Sequence, residues 1–293
     1  MRLSEIRDGQ APAQPLAALG FQRELTKEIQ TRLGDLGFLD PPADGKFGSV
    51  SQWALRAFAE SAGMAAKTQI DKEAAAALLA AQPLPLAPGG DLAGRIVARM
   101  LALGHWVARH PDCVNIVYLE GAGADGVPND NRPNVYNDSR FAIRIEGGVP
   151  KILGAWEATT EPGRAFTVDP SLANPLGAAR IALGQHKAWI LGFHKSNPQH
   201  PALVQRENLP VFRDLNRDFQ RQGDTVHVGL FGINQHHGFS SNPNDIQQDS
   251  AGCLVGRAKT GHTEFLRIVK TDARFLSSAD YRFMTAILDG RTV

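Results

Sequence analysis

A chain of 293 residues with 43% apolar and 21% charged residues can bury a large core or two, and that balance excludes general disorder. Lys and Arg number 31 against 30 Asp and Glu, and no long basic run occurs, so nucleic acid is not an expected partner. The two cysteines, Cys113 and Cys253, are too few and too far apart for a disulfide framework, which leaves at least one for chemistry.

Leu25, Ile29, Leu33 and Leu36 recur at helical spacing and predict a first helix, broken by the turn-rich run DPPADGKFG at 40–48. Ser49 and Gln52 form a capping-box signature ahead of Trp53, Leu55 and Phe58, and an alanine-rich helix is expected over 71–79. The run QPLPLAPGG at 82–90 has the composition of a linker, so the expected division is a helical domain at 1–81, a linker at 82–90 and a second domain at 91–293. Asp91 is placed to cap an amphipathic helix bearing Leu92, Ile96, Val97, Met100 and Val107. From Val114 onward β-rich runs alternate with Gly, Asn, Asp and Pro clusters, at 114–121, 140–145, 151–156, 165–168, 188–193, 202–205 and 226–233. Helices in this part are expected only near 178–185 and 263–272. The fold class is α+β, a small three-helix bundle followed by a mainly β domain.

The segment 229–257 is the richest in chemistry. A β-run ends in Asn234-Gln235-His236-His237-Gly238, a polar loop follows, and Ser250-Ala251-Gly252-Cys253 opens another apolar run. Small residues before a cysteine let a substrate reach the sulfur and let backbone N–H groups converge on an oxyanion, the needs of acyl transfer. A histidine beside the thiol would lower its pKa and later protonate a leaving amine. Successive side chains on a strand face opposite ways, so only one of His236 and His237 can meet Cys253. A lone cysteine is more often a small buried apolar residue, and sequence order alone does not bring it to a histidine.

Two resemblances add to this reading. Ile29-Gln30, Leu33, Leu36-Gly37, Asp44-Gly45, Phe47-Gly48, Ser51, Ala54-Leu55, Phe58 and Gly63 resemble the three-helix peptidoglycan-binding domain over roughly 21–80. The later segment resembles the L,D-transpeptidase motif, in which a strand-end histidine is followed by Ser-His-Gly-Cys, and Thr160-Glu161-Pro162-Gly163 with Phe166 resembles an upstream part of that family. The resemblance implies His236 as catalytic base and Cys253 as nucleophile, with Ser250 and Gly252 at their family positions. It departs at Ala251, where the family has histidine, and at Leu254-Val255-Gly256, which precede Arg257 where the family places a polar residue sooner.

The expectation is a peptidoglycan-active cysteine enzyme that attacks stem-peptide amides, leaning to hydrolysis, with cross-linking or a zinc peptidase as alternatives. His194, His237, Arg257 and Asn234 are the expected substrate contacts. No cofactor is expected and no metal, since H-E-x-x-H is absent and His194, His200, His227 and His237 lack ligand spacing. Asp214-Leu215-Asn216-Arg217-Asp218 starts like a calcium loop but lacks its glycine and closing glutamate, so a hairpin turn is expected. Residues 118–140, dense in Asn and Asp, are expected as a long loop that either shapes a groove or is merely solvated. Neither a signal peptide nor a membrane anchor is visible, so the protein is expected to be made in the cytoplasm and to reach the wall after lysis or by non-classical export.

Overall fold

The computed structural model describes residues 1–239 and 244–293. Helix α1 (Leu3–Arg7) buries Leu3 and Ile6 against the helices that follow. Strand β1 (Gln14–Pro15), helix α2 (Arg23–Asp35), helix α3 (Ser49–Ser61), strand β2 (Gln69–Ile70) and helix α4 (Lys72–Ala80) complete the N-terminal part, with β1 and β2 antiparallel. Asp71 starts α4 by accepting the Ala74 N–H at 2.8 Å. The capping box expected at Ser49 does not form, because Gly48 occupies the N-cap and Ser49 is already helical. Buried Gln30 clamps the 40–48 turn: its Oε1 accepts the Gly45 N–H at 2.7 Å, and its Nε2 donates to Asp44 Oδ1 at 2.8 Å and Lys46 O at 3.0 Å. Gly45 has φ +76°, and a Cβ there would lie 2.6 Å from Arg23 Cγ.

Residues 82–90 form no regular element, yet they are tied down, since Leu84 N–H donates to Leu36 O at 3.0 Å and Ala87 N–H to Gly148 O at 2.8 Å. Asp91 caps α5 (Leu92–Ala102) as expected, accepting from Gly94 at 2.8 Å. The rest is mainly β: β3 (Asn115–Glu120), β4 (Asp138–Glu146), β5 (Val149–Thr159), α6 (Arg164–Val168), β6 (Ala178–Ile181), β7 (Gly184–Phe193), β8 (Pro201–Gln205), β9 (Leu209–Asp214), β10 (Thr225–Gly229), β11 (Gln235–His237), β12 (Leu254–Gly256), α7 (Lys259–Val269), α8 (Ala273–Ser277) and β13 (Phe283–Asp289). A closed barrel runs β11-β12-β5-β4-β3-β13-β7-β8, and β10-β9-β6 make a separate sheet. The observed class is α+β. No helix among the described residues is long and apolar enough to cross a membrane.

Two expected elements change type. The run at 165–168 is helical, in α6. The helix expected near 178–185 is instead β6 and the start of β7, because all four residues of β6 are buried and pair with β9 from Asp214 to Val211, and such tertiary pairing overrides alanine's helical preference. The Asp214 turn is a hairpin connection, its carboxylate accepting the N–H groups of Asp218 at 3.1 Å and Phe219 at 3.0 Å.

The helical part and the barrel share a core. Ala108, Cys113 and Ala273 belong to the cluster built on Leu33, Leu36, Phe38 and Phe58. Trp106 Nε1–H donates to Gly34 O at 2.9 Å across the same boundary. Buried Asp40 is the polar centre of the contact, 2.7 Å from Lys187 Nζ, 3.4 Å from Arg274 Nη1 and 3.2 Å from the Tyr281 hydroxyl. Removing one member of such a buried set strands the others, so Asp40→Ala should lower unfolding free energy by about 3–5 kcal/mol. Urea denaturation measures this, and a loss under about 0.5 kcal/mol, the scale of a surface change, would show that the contact is not structural.

A second buried polar set lies where β3, β4 and the end of β5 meet. Arg221 grips Glu120 with both guanidinium amines, and Arg180 Nη1 is 2.6 Å from Glu161 Oε1. Asp138 accepts the Gly121 N–H at 2.7 Å and the Thr160 N–H at 2.6 Å. Burial, then the Glu120 charge, raises the Asp138 pKa from 3.8 to about 8. The folded chain thus holds a proton that the unfolded chain releases, and the stabilisation, complete below about 3.8, is lost as pH rises through about 8. Urea midpoints of the native protein should therefore fall over that window relative to Asp138→Asn, whose amide does not titrate. A difference between the two proteins that is independent of pH would refute the assignment.

Candidate active site

The turn before β12 is built by Ser250 and Gly252. Ser250 Oγ accepts the Gly252 N–H at 3.1 Å and donates to Cys253 O at 2.8 Å. Gly252 has φ +127°, and a Cβ there would come within 2.4 Å of Ala179 O, so only glycine fits. These two residues expected to be catalytic therefore shape the turn, and the Gly252 N–H is already spent on Ser250.

Strand β11 runs parallel to β12 with His236 opposite Val255. Alternation along both strands puts His236, Cys253 and Val255 on one face, and Gln235, His237, Leu254 and Gly256 on the other. Cys253 packs with Tyr136, Ile246 and Val255. His194, just after β7, stacks on His236 with ring centroids 4.0 Å apart, and Phe239 lies nearly parallel to His236 at 5.1 Å. One ring nitrogen of His194, one of His236 and Cys253 Sγ all lie within 4.8 Å of one another. Among the described residues this is the group that could hold a metal ion.

Hydrogen bonds fix both imidazole tautomers. His236 Nδ1 is 2.7 Å from His237 O, so Nδ1 carries the proton and Nε2 keeps its lone pair. Asn234 Oδ1 accepts the Gln205 N–H at 2.9 Å, which turns Asn234 Nδ2–H toward His194 Nδ1 at 3.0 Å. His194 Nδ1 is then an acceptor and its Nε2 a donor. Asn234 also offers its backbone N–H to Cys253 Sγ at 3.4 Å.

Burial keeps the trio neutral. It raises the Cys253 thiol to about 11, opposed by the Asn234 N–H, lowers His194 to about 4, and holds His236 well below its ordinary value. The expected depression of the thiol pKa by a charged histidine is therefore reversed, because desolvation penalises thiolate and imidazolium alike.

The other expected contacts are placed less simply. His237 faces away from Cys253, toward His262 at 5.7 Å, and contributes its carbonyl to His236. Arg257 is engaged with Glu157 Oε2 at 2.6 Å and Asn244 Oδ1 at 2.7 Å. Asn234 has its amide held on both sides by protein. Part of the expected polar loop, residues 240–243, lies outside the described residues.

Several residues that position the site were not picked out from sequence. Gln205 Oε1 accepts the N–H groups of Phe231 at 3.0 Å and Ile233 at 2.9 Å, and Trp189 Nε1–H donates to Ile233 O at 2.8 Å, fixing the irregular approach to β11. Strand character expected over 226–233 accordingly stops at Gly229. Asn134 and Tyr136, from the long 118–140 block, brace the loop before Cys253: Asn134 Oδ1 accepts the Gln247 N–H at 2.9 Å, and Tyr136 donates to Asp249 at 2.9 Å. The block shapes the site rather than only meeting solvent. Cavities of about 480 and 590 Å³ lie along the helical part and its contact with the barrel, not at the thiol.

Comparison with known proteins bears on the helical part. A search of curated proteins gave no match. Among solved structures, a fused Zn-dependent amidase/peptidase/peptidoglycan-binding domain-containing protein from Clostridium acetobutylicum ATCC 824 is similar at 13% identity and TM-score 0.30, covering 89% of this chain and 94% of that one. An L,D-transpeptidase from Xylanimonas cellulosilytica DSM 15894, residues 123–326, is similar at 15% identity and TM-score 0.23, covering 89% of this chain and 92% of that one. At such scores neither likeness bears on the reaction. Residues 22–78 match the family described as putative peptidoglycan binding domain, which places the 40–48 turn and the three helices around it in that family's segment.

Proposed function

We propose that the chain is a peptidoglycan-active cysteine enzyme in which Cys253 attacks a stem-peptide amide and His236 moves the proton. The observation that carries this reading is the Cys253–His236 pair on one face of β11 and β12, with His236 Nδ1 anchored on the His237 carbonyl so that Nε2 is the free base. The match at residues 22–78 supports the choice of polymer.

Attack starts from a neutral pair. The thiol proton passes to His236 Nε2 as the C–S bond forms, and the same proton goes to the leaving amine as the C–N bond breaks, giving a thioester. We assign the Cys253 N–H and His194 Nε2–H to the developing oxyanion. Water, deprotonated by His236, then adds to the thioester carbonyl, and as the new C–O bond forms and the C–S bond breaks His236 returns that proton to the Cys253 sulfur. Hydrolysis is the outcome we propose, on the departure of this motif from the family at Ala251; an amine acceptor at the same step would give a cross-link instead. Mass spectrometry of muropeptides after digestion separates the two.

His236→Ala should lower the chemical step at least about a hundredfold, the scale of a lost general base, with His237→Ala costing far less because only its carbonyl takes part. Cys253→Ala should abolish turnover and Cys113→Ala should leave it nearly unchanged. Equal losses from the two histidine variants in single-turnover assays would overturn the register. Alkylation of Cys253 should keep accelerating with pH up to about 11 rather than level off near neutrality.

The zinc reading has one observation in its favour, the His194, His236 and Cys253 cluster. Against it stands the tautomer of His194, whose Asn234 contact leaves an N–H, not a lone pair, on the free nitrogen. Asn234→Asp would reverse this, because a carboxylate accepts the Nδ1 proton and frees Nε2 to bind metal. The variant should gain zinc affinity and lose amide cleavage by about a hundredfold, the scale of one oxyanion donor. Tight stoichiometric zinc in the native protein, with activity abolished by chelator, would replace the thioester reading by the metal one.

A further inference from the structure

The small sheet β10-β9-β6 is open, and its two edges differ. At the β6 edge the Ile181 carbonyl accepts Arg221 Nε–H at 3.1 Å, so a side chain covers it. Strand β10 pairs with β9 alone, from Thr225 opposite Arg213 to Gly229 opposite Leu209. Which of its backbone groups face outward follows from the next strand. The Ala182 N–H donates to Pro210 O at 3.0 Å, so Pro210, Phe212 and Asp214 turn their backbone groups toward β6, while Leu209, Val211 and Arg213 turn theirs toward β10. Thr225, His227 and Gly229 therefore bond to β9, and Val226 and Val228 point N–H and C=O away from the sheet. Among the described residues no strand pairs with that side of β10.

Native edges are normally guarded by a charge, a proline or a bulge. Residues 225–230, Thr-Val-His-Val-Gly-Leu, contain no Lys, Arg, Asp, Glu or proline, and the pairing with β9 runs without a register shift. Instead Val226, Val228 and Leu230 are 48%, 67% and 63% exposed. Val226 lies opposite half-buried Phe212 and Val228 opposite half-buried Pro210. These four share one face of the sheet, and their apolar row stops at the free edge.

The edge is also self-complementary. Val226 and Val228 stand symmetrically about His227, so a second copy laid antiparallel, with His227 facing its own counterpart, sets each Val226 against a Val228. Both are hydrogen-bonded pairs, each exchanging two N–H to carbonyl bonds. The apolar row then runs unbroken from one Phe212 to the other. A net charge of +1 gives little repulsion between copies.

We infer that β10 is a self-association edge, joining two copies of this chain about a twofold axis at His227 into one continuous six-stranded sheet. The inference does not depend on the role given to Cys253. The contact is small, so association is weak and concentration-dependent rather than obligate.

Sedimentation equilibrium of the full-length protein should show its mass rising from monomer toward dimer as concentration increases into the millimolar range. Val228→Pro removes an outward N–H at a place where an edge strand accepts proline. It acts at both ends of a symmetric contact, so two bonds are lost and association should weaken at least about tenfold. Val228→Lys keeps the backbone and sets a charge in the apolar row; it should weaken association likewise and covers the case in which proline disturbs the strand. In His227→Cys, mild oxidation should link the two copies, because a non-hydrogen-bonded pair holds its Cα atoms only ~4.5 Å apart. Val226→Cys should link far less, its counterpart lying on the diagonal at roughly 7–8 Å. A monomer at every concentration, a dimer insensitive to both Val228 variants, or equal linking by the two cysteine variants would overturn the assignment.

Discussion

Parallel pairing of β11 with β12 sets the geometry of the cluster around Cys253, because it holds His236 opposite Val255 and brings Cys253, one residue before β12, to the same face. A shift of one residue would turn His237 toward the thiol and His236 into the barrel. What prevents the shift is mostly polar. Gln205 and Trp189 hold the backbone just before β11, the Asn234 carbonyl accepts the Leu254 N–H at 2.9 Å, and Gln235 reaches Thr285 at 2.9 Å on the far side. Each bond is modest alone, yet a slip would leave several buried groups unpaired at once.

The same enclosure decides the protonation of the site. A thiolate and an imidazolium would attract each other, but both would have to leave water, and burial here raises the thiol and lowers both imidazoles. The resting site is therefore a set of oriented neutral dipoles rather than an ion pair. Asn234 is the hub of that set, since one residue orients His194, donates to the sulfur and joins β12. Under the proposed reaction such a site would need little reorganisation as charge develops.

Charges elsewhere in the barrel follow a different rule. Asp40, Glu120 and Glu161 are buried with arginine or lysine partners, and Asp138 is buried by retaining a proton. Asp40 joins the helical part to the barrel where Cys113, Ala108 and Ala273 already share its apolar core. The region matched by the peptidoglycan-binding family is thus packed against the barrel rather than tethered to it. Its orientation relative to the thiol is set by contacts.

Much of this was legible in the sequence where the cause is local. Helical spacing found α2, α3 and α4, Asp91 announced α5, and the DGKFG run marked a turn that only glycine at 45 permits. Strand alternation also showed that His236 and His237 face opposite ways. Which of them meets Cys253 depended on the register against β12, a contact between residues nearly twenty apart, and the family resemblance supplied it before geometry did. Beyond local reach the reading failed in physical ways: β6 looked helical until its pairing with β9 was seen, and the thiol looked acidified until its burial was seen. The sequence by itself determined the residue types, the turns and the helices, because these follow from neighbours along the chain. Only the tertiary structure decided tautomers and protonation, because desolvation and hydrogen-bond partners are properties of the groups that surround a residue in space.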